Sequence, residues 1–186
     1  KDKNKKRSLS LPKDLLTENP WEIVENPEID VVVEVIGGIE LAKKLILRAI
    51  ENGKSIVTAN KTLIARHGKE INDAANRRGV YVLIEAAVGG GIPIIEPLKQ
   101  SLGSNKINKI SGIINGTTNY ILSLMSNTDQ DYLEILEEAQ KLGYAEADPS
   151  ADVMGFDAAD KIAILSGLAF GGSIDRESIN VIGIDN

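Results

Sequence analysis

The stretch IDVVVEVIGG, residues 29–38, decides the fold class of this chain. It is a continuous run of mainly β-branched residues that ends in two glycines, the pattern of a parallel strand buried on both faces. Residues 39–53 follow with apolar side chains at helical spacing and stop at Gly53, a typical residue just beyond a helix C-terminus. A buried strand followed directly by a helix predicts the first part of a βαβ unit.

The same alternation of strand and helix continues downstream. KSIVTAN (54–60) predicts a short strand, residues 62–79 a helix, and VYVLIEAAV (80–88) another buried strand. Short connections between these elements predict right-handed βαβ units on a parallel sheet. Polar residues and glycines that follow the strands, Gly37 among them, therefore lie at the carboxyl edge of the sheet, where ligands bind in open α/β folds.

The pattern changes after Pro97. A helix-like stretch through Leu102 precedes KINKISGIIN (106–115), which alternates like a strand. Two helices, an acidic loop and a last helix with a nearly apolar second half follow. This mixture predicts a second, α+β domain that begins near residue 95.

The composition narrows the possible chemistry. The chain has 186 residues, no Cys and one His, His67, which we assign to the surface of a helix. Disulfides, thiolate nucleophiles, cysteine-based zinc sites and multi-histidine metal centres are therefore excluded. The lack of Cys agrees with a reducing cytoplasm, and every apolar run is too short or too interrupted to span a membrane.

The net charge of −6 hides an asymmetry. Residues 1–7, KDKNKKR, hold five of the 21 basic groups and one of the 27 acidic groups, so the remainder carries 16 against 26, or −10. A body this acidic is a poor candidate for nucleic-acid binding, which needs cations spread over a face. By charge alone, the basic cluster is as well explained by a solvated end or loop as by a binding site.

Asp157 and Lys161 stand four residues apart in a predicted helix, so their side chains share one face. An ordinary surface ion pair has the same spacing and contributes only about 0.3–0.5 kcal/mol. The apolar residues around Lys161 predict instead that this lysine is partly buried. Further carboxylates in the preceding loop would, if they converged, form a cage for a cationic ligand group or a tuned acid. These carboxylates are Glu146, Asp148 and Asp152.

Two other positions at the sheet edge have a functional and a structural interpretation. Lys61 follows a strand and is either a capping or loop lysine or a group that orients a substrate oxygen. Glu85 precedes VGGG (88–91), where main-chain carbonyls could surround a hard cation. The same glycines could equally be a turn that lets the chain cross between domains.

Residues 139–161, AQKLGYAEADPSADVMGFDAADK, resemble the signature segment of homoserine dehydrogenases. The positions in register are Ala139, Gly143, Ala145, Asp148, Pro149, Asp152, Gly155, Asp157 and Lys161. TANK (58–61), EAAVGGGIP (85–93) and NGTTNYIL (115–122) are also similar to that family and occur in its order.

The resemblance implies an α/β protein with a partial Rossmann-like parallel sheet followed by an α+β substrate and dimerisation domain. Residues 1–95 would be the C-terminal part of an NAD(P)-binding domain, and residues 96–186 part of the catalytic domain. The implied reaction interconverts L-homoserine and L-aspartate 4-semialdehyde with NADP or NAD, in threonine, methionine and isoleucine biosynthesis. The implied protein is a cytoplasmic homodimer that acts on a small molecule, without a nucleic-acid or membrane partner.

The resemblance also implies roles for single residues. Lys161 would donate or relay the proton to the carbonyl oxygen, and Lys61 would contact the nicotinamide and help position that oxygen. The substrate would be bound by Glu146, Asp157, Asp152 and Thr117. The cofactor would also meet Gly143 and Gly37. A monovalent cation, usually sodium, would be held by Glu85, Val88, Gly90 and Ile92.

One departure from the family is clear. The GxGxxG turn that normally cradles the cofactor pyrophosphate is missing, so we expect a fragment with weak or no turnover. In that alignment the basic opening lies near the adenosine ribose, and Lys5, Lys6 or Arg7 would favour NADP over NAD. Two alternatives remain: another nicotinamide-dependent amino-acid dehydrogenase, or a non-catalytic dimerisation or regulatory piece whose strand 106–115 pairs across a two-fold axis.

Overall fold

A parallel sheet with the strand order β1–β2–β3 organises the first half of the chain. The computed structural model describes residue 12 and residues 15–185. The strands are β1 (Val31–Glu34), β2 (Ser55–Thr58) and β3 (Val82–Leu83). The helices of this half are α1 (Pro20–Glu25), α2 (Glu40–Glu51) and α3 (Lys61–Arg78). The predicted α/β class and parallel sheet are confirmed.

Local signals set both ends of α3. The Asn60 side chain accepts a hydrogen bond from the backbone N–H of Leu63 at 3.2 Å and so caps the helix N-terminus. At the other end Gly79 adopts a left-handed conformation with φ of 68°, which only glycine takes without strain. Lys61 is therefore the first residue of the helix, and two residues separate it from the end of β2.

The expectation that β1 is buried on both faces is wrong. Val31 and Val33 are 51% and 63% exposed, whereas Val32 packs against the core and Glu34 is buried. Helices α2 and α3 pack against each other on one face of the sheet, and the described residues leave the opposite face of β1 in solvent. The alternation of a one-sided strand follows from this single layer of helices.

The third strand is much shorter than the predicted 80–88. Only Val82 and Leu83 pair with β2, and residues Glu85–Ala87 form a 3-10 turn. The Glu85 carboxylate accepts hydrogen bonds from the backbone N–H groups of residues 94–96, so the chain turns back at this position. The strand ends early because Glu85, which the prediction placed in it, instead binds the backbone of residues 94–96.

The second half is helical in the part that the structure describes. A π-helical turn (Pro97–Ser101) precedes α4 (Gly116–Asn127), α5 (Tyr132–Lys141), α6 (Ser150–Val153), α7 (Phe156–Phe170) and a 3-10 turn (Arg176–Ser178). The predicted strand at 106–115 is wrong, since these residues have no regular secondary structure. A strand needs a neighbour for its backbone groups, and no described strand pairs with this segment.

Two apolar clusters form the interior. The first lies between the sheet, α2 and α3, and Ile164 and Leu165 of α7 also belong to it. The second joins α4, α5 and α6; its buried members are Ile121, Ile135, Ala139, Ala145 and Val153. Helix α7 packs against both α6 and α3, so it links both regions. No helix within the described residues is long and apolar enough to cross a membrane.

Candidate functional site

The side chain of Asp157, in the first turn of α7, forms the centre of the candidate site. It is 6% exposed and carries ion pairs to two lysines from different elements. Lys161 Nζ lies 2.6 Å from Oδ2, and Lys61 Nζ lies 3.0 Å from Oδ1. The fold therefore brings the start of α3 to the start of α7, and joins two predicted site residues through a third.

The electrostatic environment keeps Asp157 ionised. Burial alone would raise the pKa of this carboxyl, but hydrogen bonds from Lys161, Asn115 and Lys61 outweigh the desolvation. The pKa of Asp157 is therefore lowered from its ordinary value. A buried carboxylate that remains charged provides a fixed anion for the two ammonium groups around it.

Lys161 is held more firmly than Lys61. Its ammonium also donates to the carbonyl oxygen of Ile114 at 2.7 Å, and its side chain is only 16% exposed, which confirms the predicted partial burial. Lys61 is 39% exposed. Both lysines line a cleft that is also bordered by Val88–Gly90 and Ile113–Gly116. A lysine has three donors, so Lys161 keeps one N–H beyond these two partners.

Asn115 is a site residue that the sequence interpretation missed. Its Nδ2 donates to Asp152 Oδ1 at 2.6 Å and to Asp157 Oδ2 at 2.9 Å, while its Oδ1 accepts from the backbone N–H of Thr118. The amide thus joins two carboxylates and caps α4 at the same time. The capping signal was readable before the helix, but the bridge spans three elements and leaves no local pattern.

The loop carboxylates do not all join this network. Asp152 is linked to Asp157 through Asn115, but Asp148 bonds to Ser150 of its own loop. The side chain of Glu146 is exposed and has no hydrogen bond or ion pair to a described residue. The described residues contain no group of three or more His, Asp or Glu side chains suited to a metal ion.

Thr117 and Gly143 meet at the junction of α4 with the turn after α5. The Thr117 hydroxyl donates to the carbonyl oxygen of Tyr144 at 2.7 Å, and the rings of Tyr120 and Tyr144 lie 4.7 Å apart. These contacts fix the turn that contains Gly143. The roles of Thr117 and Gly143 toward substrate and cofactor stay predictions.

The predicted cofactor edge is built around a buried carboxylate, Glu34. Its Oε1 accepts from the backbone N–H groups of Ile36 and Gly37, and its Oε2 accepts from the Thr58 hydroxyl at 2.7 Å. Gly37 has φ of 75°, and a Cβ built there meets open space. Lys5, Lys6 and Arg7 lie outside the described residues.

The side chain of Glu85 is already used as an acceptor. Its oxygens take hydrogen bonds from the backbone N–H groups of Ile94, Ile95 and Glu96 at 2.6–2.9 Å. Desolvation would raise the pKa of Glu85, but these hydrogen bonds lower it below its ordinary value. A cation at this turn would therefore be met by main-chain carbonyls rather than by this carboxylate.

Two family models match the chain. Residues 93–186 match the model described as homoserine dehydrogenase, and residues 1–85 match the model described as the NAD-binding domain of homoserine dehydrogenase. The chain belongs to the homoserine dehydrogenase family. The resemblance inferred from the four motifs is thereby confirmed.

Individual members of the homoserine dehydrogenase family agree with this assignment. The chain is 61% identical over 181 residues to the Synechocystis sp. enzyme, covering 97% of the chain and 42% of that protein. The crystal structure from Thiobacillus denitrificans gives a TM-score of 0.88 at 53% identity, covering 90% of the chain and 39% of that structure. A hyperthermophilic archaeal homoserine dehydrogenase in complex with NADPH gives a TM-score of 0.78 at 33% identity, covering 83% and 48%.

Proposed function

We propose that this protein interconverts L-homoserine and L-aspartate 4-semialdehyde with a nicotinamide cofactor, in the biosynthesis of threonine, methionine and isoleucine. The chain spans 42% of the length of its Synechocystis relative, so the activity belongs to the complete gene product that carries it. The observation that carries the proposal is the Lys61–Asp157–Lys161 arrangement in a cleft of a family member.

Lys161 is the proton donor in this proposal. Reduction of the aldehyde places negative charge on its oxygen, and a fixed ammonium both stabilises that charge and supplies the proton. Asp157 and the Ile114 carbonyl hold two of the three N–H donors of Lys161, which leaves the third for the substrate oxygen. Lys61, tied to the other oxygen of Asp157, orients the same atom.

The acidic residues bind the amino group of the substrate. The Asn115 amide bridges the carboxylates of Asp152 and Asp157, and the exposed Glu146 side chain can turn toward a bound ligand. Paired carboxylates suit an ammonium group because ion pairing favours the charged state of both partners. Thr117 completes this side of the proposed substrate site.

A nicotinamide cofactor, when bound, supplies or accepts the hydride. The residues at the carboxyl edge fit such a group: Gly37 leaves open space, and Lys61 stands where the second βα unit, β2–α3, meets the cleft. Gly143 is the other proposed contact. The NADPH in the archaeal relative and the cations Lys5, Lys6 and Arg7 support NADP as the preferred form.

Sodium would be held by main-chain oxygens of Glu85, Val88, Gly90 and Ile92. No described residue donates a hydrogen bond to the carbonyls of Val88, Gly90 or Ile92. Unpaired carbonyl oxygens are the ligand type that hard cations take, so this turn fits the ion.

We also infer a domain boundary near residue 95. The match to the NAD-binding model ends at residue 85 and the match to the second model begins at residue 93, which supports this boundary.

A cytoplasmic homodimer is the last part of the proposal. The absence of Cys supports the location. The exposed apolar residue Ile113, in the segment 106–115, supports contact with a second subunit.

The test is a substrate panel with the complete gene product. We expect oxidation of L-homoserine with NADP⁺ or NAD⁺, and little turnover of L-serine, L-threonine or L-malate. Turnover of another amino acid in preference to homoserine would favour a different amino-acid dehydrogenase, and no turnover of any would favour a non-catalytic role. The 186-residue chain alone is expected to show weak or no activity.

A further inference from the structure

A second connection between α3 and α7 lies directly beside the first. The Thr62 hydroxyl donates to Asp160 Oδ2 at 2.7 Å. Thr62 follows Lys61 in the chain, and Asp160 precedes Lys161. The two lysines of the site are therefore each adjacent to one member of a hydrogen bond that joins their helices.

Asp160 is itself fixed by a buried cation. Arg176 Nε lies 2.6 Å from Asp160 Oδ1, and both residues are buried, with exposures of 6% for Arg176 and 5% for Asp160. The guanidinium also donates to the carbonyl oxygen of Phe156 at 3.2 Å. Because a buried charge without a partner is strongly unfavourable, Arg176 leaves the Asp160 carboxylate little freedom to move.

We propose that Asp160, held by Arg176, is a positioning residue that fixes the separation of Lys61 and Lys161 through the Thr62 hydroxyl. The inference rests on the proposed function, since it assigns those two lysines to the reacting oxygen. Without the Thr62 hydrogen bond, the polar contacts that still join α3 to α7 among the described residues are the 3.9 Å Arg66–Asp160 ion pair and, nearest the site, the partly exposed Lys61–Asp157 pair. A flexible lysine side chain can keep that pair while the helix ends shift.

A purely structural role of the Asp160–Arg176 pair predicts a different result. Buried ion pairs add little net stability compared with apolar replacements, so stability alone does not explain why these charges are buried. If the pair only filled space, the Thr62 hydroxyl would be dispensable for turnover. If it positions the lysines, a small shift should slow the reaction, because displacements of about 1 Å can cost up to about a hundredfold in rate.

The experiment uses Thr62→Val, which removes the hydroxyl at nearly constant volume, and Thr62→Ser, which restores it. Thr62→Ala is a second variant in case Val disturbs packing. The matched control is Thr17→Val, because Thr17 donates a similar 2.6 Å hydrogen bond to Glu22 far from the site. All are made in the complete gene product, and folding is checked by Tm.

We expect Thr62→Val and Thr62→Ala to lower kcat for homoserine oxidation about tenfold, with the KM for homoserine changed less than about twofold. Thr62→Ser and Thr17→Val should retain the wild-type kcat. An unchanged kcat in Thr62→Val, or a loss that Thr62→Ser does not restore, overturns the inference.

A second readout does not depend on turnover. The Asp157 carboxyl is faced by Lys61 of α3, by Lys161 of its own helix and, through Asn115, by Asp152 of α6. Its titration by carbon-13 NMR should move to higher pH in Thr62→Val as Lys61 retreats. An inactive wild type would contradict the proposed function. The titration would then still test the positioning role of Asp160, and an unchanged titration curve of Asp157 in Thr62→Val would overturn that role.

Discussion

Lys61 Nζ lies 3.0 Å from Asp157 Oδ1, the oxygen that Lys161 does not use. One buried carboxylate thus orients two ammonium groups from two helices, and each of its oxygens has its own lysine. The lysines are 100 positions apart along the chain, so this relationship exists only in the folded protein.

Replacing Lys161 should stop the reaction without unfolding the protein. Lys161→Ala should lower kcat by about 10²–10⁴, the range supplied by a general acid, because no other described ammonium is held by the Ile114 carbonyl. The measurement is steady-state homoserine oxidation beside a Tm. Lys69→Ala, which removes an exposed lysine paired with Asp73, is the control and should behave like wild type. Near-normal turnover by Lys161→Ala would refute its assignment.

Asn115 can be tested without losing the cap of α4, because Asp and Ser are also good N-cap residues. Asn115→Asp replaces the bridging donor by a third carboxylate beside Asp152 and Asp157, and Asn115→Ser only removes the donor. We expect the acid limb of kcat/KM to move to higher pH in both, and further in Asn115→Asp. Profiles that superimpose on wild type would exclude Asn115 from the electrostatics of the site.

The lowered pKa of Asp157 predicts a pH-dependent stability. A carboxyl with a depressed pKa in the folded state stabilises the fold above its unfolded pKa of about 3.9, and this contribution is lost as pH falls through the folded value. Asp157→Asn should therefore be less stable than wild type near neutral pH, and the difference should shrink as the solution is acidified below the unfolded pKa. Urea unfolding at several pH values measures this, and a pH-independent difference would contradict it.

The Glu85 carboxylate should matter through the hydrogen bonds that it accepts rather than as a metal ligand. Glu85→Ala leaves the backbone N–H groups of Ile94, Ile95 and Glu96 without their acceptor, so the Tm should fall. Glu137→Ala, which removes an exposed carboxylate of α5, is the control. If main-chain oxygens hold sodium, Glu85→Gln should retain a sodium-dependent increase in Tm when the turn itself is intact. Loss of that response in Glu85→Gln at an unchanged sodium-free Tm would argue for carboxylate ligation.

The features that could be predicted were those with local causes. Gly53 and Gly79 marked helix ends. The spacing of Asp157 and Lys161 predicted that their side chains meet, because residues four positions apart in a helix lie on the same face. The four motifs identified the family, because their residues and their order can be read directly along the chain. The approximate places of α4, α5 and α7 were readable for the same local reasons.

The features that could not be predicted depend on partners far away in the chain. The Asn115 bridge and the Thr62–Asp160–Arg176 connection arise only when separate helices meet. The segment 106–115 has a strand-like alternation, but a strand also needs a neighbour. The exposure of Val33 depends on which layers cover the sheet, and an apolar run contains no information on that.

Helix α7 gives the molecule a mechanical property. Its last turns place Ile164 and Leu165 in the core under the sheet, and its first turn lies against α6, whose Val153 belongs to the other core. A stiff helix shared in this way transmits the loss of either core to the other, so the two regions should unfold in one cooperative transition. The most protected amide hydrogens of α3 and α4 should then share one free energy of opening. Asp157 and Lys161, both on α7, should lose their arrangement only when the whole unit opens.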